Sequence, residues 1–96
     1  MGQDERPPLA ASEVAQVALR EVAELTGRSP LGVTSVMPSD DGWKVEVEVV
    51  EDRRIPSSTD MLALYEVVLD LDGQLLSYRR SRRYTRGVAD DRVGST

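Results

Sequence analysis

Five arginines crowd into eight residues near the end of the chain: Arg79, Arg80, Arg82, Arg83 and Arg86, with Tyr84 among them. Guanidiniums stay charged and present forked donors that fit carboxylates and phosphates, so the chemistry on offer is recognition, not proton transfer. A second group, Arg53-Arg54-Ile55-Pro56, sets two cations beside an apolar residue in an otherwise polar stretch. There is no histidine and no cysteine, which removes the commonest general base, the commonest transition-metal ligand and every thiolate. The paired carboxylates Asp40-Asp41 and Asp90-Asp91 sit in turn-like or tail-like sequence, and Glu46 and Glu48 fall on an expected solvent face. Carboxylates so placed stay ionised and make poor general acids. Asp70-Leu71-Asp72-Gly73 lacks the later ligands of a calcium loop, and no glycine-rich phosphate cradle is present. No catalytic residue, metal site or cofactor is expected.

The arginine run has several readings. Strand alternation sends Arg79 and Arg83 to one face and Arg80 and Arg82 to the other. They could form a solvated edge that discourages strand pairing, or be neutralised by the chain's own Glu66 and Glu51. They could also dock a protein partner, since Arg and Tyr are favoured at interfaces. Nucleic acid is the weakest reading: the cluster suits phosphates, but the chain carries a net charge of −5 and only Tyr78 and Tyr84 could stack on bases. The charge is split, with six basic and fifteen acidic side chains in residues 1–78 against six and two in residues 79–96. Such asymmetry is a handle for a partner or for a second copy of the chain.

The elements that position these groups follow from periodicity. Ser12 reads as a helix N-cap, Glu13 as a first-turn acid, and Val14, Val17, Ala18, Val22 and Leu25 as one buried stripe; Gly27 and Pro30 end the helix. Leu31–Met37 reads as a short first strand, followed by a turn at Pro38–Gly42. Trp43, Val45, Val47 and Val49 alternate with Lys44, Glu46 and Glu48, a half-buried strand in which Trp43 is the expected core anchor. Ile55 is expected to tuck under the sheet edge, the alternative being an exposed anchor for a partner. Met61–Leu71 forms the third strand, and Asp72-Gly73 predicts a type I′ hairpin into the arginine strand. That register sets Leu69 opposite Leu76, Val67 opposite Tyr78, Tyr65 opposite Arg80, Glu66 opposite Arg79 and Leu62 opposite Arg83. The fold class is α+β: one amphipathic helix on one face of a four-stranded antiparallel meander.

Ninety-six residues allow one domain, expected to span residues 12–86 between flexible tails at 1–11 and 87–96. No apolar run approaches the ~18–20 residues that span a bilayer, and the start is unlike a signal peptide. A cytoplasmic protein is expected.

The ordered set Trp43-x-Val45-x-Val47-Glu48-Val49-Val50-Glu51, Arg54-Ile55-Pro56, Asp60-x-Leu62-Ala63-x-Tyr65-Glu66-Val67, Asp72-Gly73 and Tyr78-Arg79-Arg80-x-Arg82-Arg83-Tyr84-x-Arg86-Gly87 resembles the gas vesicle synthesis protein O family (GvpO). The resemblance runs from about Val14 to Gly87. It implies a non-enzymatic accessory role in gas vesicle assembly, with other gas vesicle proteins as partners and an association with the vesicles. The alternative is a nucleic-acid-binding regulator of gas vesicle gene expression. Arg53, Arg54, Ile55, Pro56, Arg79, Arg80, Arg82, Arg83 and Tyr84 are the candidate partner-binding residues, Tyr65 and Tyr78 are core candidates, and an edge strand could pair two copies.

Overall fold

A computed structural model describes residues 9–87; the expected tails, with Asp90 and Asp91, fall largely outside them. Helix α1 spans Ala11–Thr26 and buries Val14, Ala18 and Val22, one stripe at helical spacing. Its N-cap is Ala10, not Ser12. The Glu13 carboxylate accepts the Ala10 N–H at 2.8 Å, so the acid, reaching back three residues, decides where the helix starts. At the other end Gly27 turns left-handed (φ 69°) and its N–H bonds the Ala23 carbonyl at 3.0 Å.

Strands β1 (Ser29–Ser39), β2 (Gly42–Asp52), β3 (Met61–Asp70) and β4 (Leu75–Thr85) pair in the order β1-β2-β3-β4, every pair antiparallel. The α+β meander expected from the sequence is the fold. α1 packs on β1, β2 and β3. Between the layers lie Val45, Val47 and Val49 of β2 with Ala63, Val67 and Leu69 of β3, all fully buried. Burial of each such Val or Leu contributes about 1.5–3 kcal/mol relative to exposure. Trp43 is only half-buried, beside Pro38 and Leu69 at the hairpin end of the sheet, so the valine rows and not the tryptophan centre the core.

The helix-free face carries a smaller apolar patch. Val50, Leu62 and Leu64 are buried there, and the Tyr84 hydroxyl donates to Glu48 across β3, which lays the ring over them. The β3–β4 loop has three residues, not the expected two: the Asp70 N–H bonds Gln74 O at 2.9 Å and the Gly73 N–H bonds Asp70 O at 3.0 Å. Only Gly73 within it has positive φ (86°), whereas type I′ needs two such residues. The Asp70 carboxylate accepts the Asp72 and Gln74 N–H groups, each at 2.9 Å, and holds the turn.

Candidate functional site

The connection between β2 and β3 is a closed loop. Thr59 bonds the Pro56 carbonyl through both its N–H (3.0 Å) and its hydroxyl (2.7 Å), and the Asp60 N–H bonds Ser57 O at 2.9 Å. Asp60, 2% exposed, is the lock. One carboxylate oxygen accepts the Arg54 N–H at 2.7 Å; the other accepts Arg86 Nη2 at 3.1 Å. The Arg86 N–H in turn bonds the Asp60 carbonyl at 2.8 Å, which ties the loop to the end of β4. The Arg54 guanidinium is held by Asp52 at 3.1 Å. Ile55, joined to Pro56 by a cis peptide, is 99% exposed. It does not tuck under the sheet edge. The backbone before it is bonded to Asp60 and the backbone after it to Thr59, and its side chain is left in water.

β4 sorts its arginines differently from simple alternation. Tyr65 pairs with Arg80 and Leu64 with Arg82, which leaves Ser81 as a bulge whose hydroxyl donates to Leu64 O at 3.2 Å. One extra residue flips every side chain beyond it. Arg80 and Arg83 therefore share the helix face, and Arg79 and Arg82 share the opposite one with Tyr84. The same bulge sets Leu62 opposite Tyr84 in place of Arg83, and a second bulge, at Leu76, sets Leu69 opposite Leu75 in place of Leu76. The pairs Val67–Tyr78, Tyr65–Arg80 and Glu66–Arg79 stand as expected.

Each face has its own neutralising acid. On the helix face Glu51, itself a bulge residue of β2, receives Arg80 at 2.9 Å and Arg83 through Nε. It reaches them across Ala63, whose methyl leaves room, and Arg28 donates to its carbonyl. On the other face Glu66 takes Arg79 at 3.2 Å and Lys44 at 3.9 Å. Arg82 instead stacks over the Tyr84 ring at 5.0 Å. Tyr65 packs on the core, but Tyr78, 41% exposed, does not join it, for β4 lies beyond the helix; the rings meet at 6.2 Å between centroids.

The electrostatics follow from these contacts. Burial opposes ionisation of Glu51, yet hydrogen bonds from Arg83 and Arg80 and their charges together hold its carboxyl below the ordinary value of 4.5. For Asp60 the Arg54 N–H is the main cause; aided by Arg86 and against burial, it depresses the carboxyl below 3.8. Both act as fixed anions. Among the described residues no cluster of three acidic, histidine or cysteine side chains could hold a metal.

The loop Arg53–Pro56 and the end of β4 thus meet through Asp60 and Arg86, while Arg79 and Arg82 occupy the sheet face opposite Arg80 and Arg83. Reasoning from sequence placed Asp60 in the family motif but gave it no role. The available signal was an acid at a loop–strand junction, directly before the apolar run Met61–Leu64.

A family model described as gas vesicle synthesis protein GvpO matches residues 2–90. Gas vesicle protein O of Streptomyces sp. (strain CB03234) is 43% identical over 88 residues, covering 92% of this chain and 69% of that protein. Gas vesicle protein O1 of Halobacterium salinarum is 36% identical, covering 76% and 62%; gas vesicle protein O of Haloferax mediterranei is 37% identical, covering 76% and 54%. The chain spans roughly half to two thirds of these relatives' lengths. No solved structure matches it. The chain belongs to the gas vesicle synthesis protein GvpO family.

Proposed function

We propose that the chain is a non-enzymatic interaction module for gas vesicle assembly, acting in the cytoplasm on other gas vesicle proteins. Its docking surface is the Arg53–Pro56 loop together with the β4 arginines and Tyr84. The observation that carries this reading is Ile55, 99% exposed on a loop locked by a buried carboxylate. A large apolar side chain kept in water by a closed loop has no role in the fold, and apolar and Arg groups side by side are what interfaces favour. Pairing of Arg79, Arg80, Arg83 and Arg86 with carboxylates favours a protein partner over phosphates.

The test is co-purification from vesicle-forming cells with a tagged chain. Gas vesicle proteins are expected with the natural chain and not with Ile55→Asp, whose melting temperature should be unchanged. Equal capture by both chains would overturn this assignment of the surface. Recovery of nucleic acid alone would replace it with the regulator.

A further inference from the structure

The chemistry of the docking partner can be read from the loop, given the interaction-module reading above. We propose that Ile55 is a preformed apolar knob that enters a socket on a partner protein, and that the socket is rimmed by carboxylates which meet Arg53. Three observations carry this. Ile55 is 99% exposed, so its whole side chain is available for burial. Arg53 is exposed beside it and has no ion-pair partner among the described residues, whereas Arg54 is held by Asp52 and Arg79, Arg80, Arg83 and Arg86 are each paired. Arg20, Arg28 and Arg82 also form no ion pair among the described residues, but Arg53 is the one of these in the loop, two residues before the knob.

The third observation is the lock. Asp60, at the end of the loop, holds the loop's start through the Arg54 N–H and ties it to Arg86 just after β4. A knob held this way loses little freedom on docking, which favours insertion over loose surface contact. An apolar side chain flanked by an unmatched cation is complementary to an apolar hollow with acid at its rim, the pattern of an anchor surrounded by polar contacts. A phosphate surface offers no hollow for Ile55. A second copy offers Arg53 the same charge in return if the loops meet.

The experiment places a photo-reactive aliphatic diazirine amino acid at position 55, and separately at position 37, in vesicle-forming cells. Met37 is 56% exposed on β1 and serves as a control outside the loop. Adducts are mapped to their peptides. The probe at 55 should label an apolar segment of a gas vesicle protein with Asp or Glu within a few residues. Arg53→Glu should lower that yield about tenfold, and Lys in place of the mapped acid should restore it. Asp60→Asn, checked by melting to be folded, should lower the yield as well. Labelling of a segment without nearby acid, or a yield indifferent to Arg53→Glu, overturns the acidic socket. Labelling of a gas vesicle protein from 37 but not from 55 overturns the knob and keeps the module. Labelling from neither position defeats the module reading itself.

Discussion

Glu51 and Asp60 are the residues on which the basic surface depends. Both carboxyls are depressed below their ordinary values of 4.5 and 3.8. A group whose folded pKa is lowered contributes stability in full above its unfolded value and loses it as pH falls through the folded one. Below about pH 5 the natural chain should therefore lose more melting temperature than a Glu51→Gln/Asp60→Asn double variant, as a thermal melt series down to pH 3 would show. At neutral pH Glu51→Ala should cost about 1 kcal/mol, because Arg80 and Arg83 are half exposed and water takes them back. On a domain of this size that lowers the melting temperature by roughly 4–8 °C. Replacing Arg80, Arg82 and Arg83 together by alanine would therefore disturb the fold as well as the surface, so it is a poor probe of docking. The pairing of Arg79 with Glu66 stands as expected because the bulge at Leu76 offsets the extra residue of the turn. Glu51 was named among the acids that could neutralise the run; that Arg80 and Arg83 share it was not legible, because this needs the bulge at Ser81 and the bulge at Glu51 at once, and neither has a side-chain signature.

At the scale of elements, the helix and β2 were legible because each carries a periodic apolar stripe. Val14, Ala18 and Val22 mark the helix, and Val45, Val47 and Val49 mark β2. Their ends were less so: Ser12 looked like the cap, yet the Glu13 bond to Ala10 sets the start. Turn geometry was misread because Asp-Gly satisfies both a two-residue and a three-residue loop, and Asp70 tips the balance to the longer one. Two packing constraints can be tested. A Cβ on Gly42 would lie 2.1 Å from the Leu69 carbonyl oxygen, so Gly42→Ala should cost about 1–3 kcal/mol or more as the hairpin shifts. Ala63→Leu should cost about as much, since it overpacks a fully buried site and blocks the path from Glu51 to Arg83. Denaturant unfolding would check both; a midpoint unchanged for either would contradict the packing described.

At the scale of the molecule, the helix covers three of four strands and, among the described residues, leaves two open sheet edges. Both edges are bulged, β1 at Leu31 and Thr34 and β4 at Leu76 and Ser81; β1 also carries Pro30 and Pro38, and β4 its arginines. These devices disrupt the ladder a second copy would need. Light scattering should give the mass of a monomer, against the edge-paired dimer that the strand pattern left open. The exposure of Ile55 was open in the sequence for a plain reason: an apolar residue before proline fits a buried tuck or a bare tip equally, and only the Asp60–Arg86 lock decides between them. That lock is also what makes Ile55 the place to strike. Buoyancy of cells whose chromosomal copy carries Ile55→Asp, with the variant's melting temperature measured alongside, is the most direct measurement. Loss of flotation with an unchanged melting temperature is the predicted result; cells that float as before would contradict the role assigned to the loop.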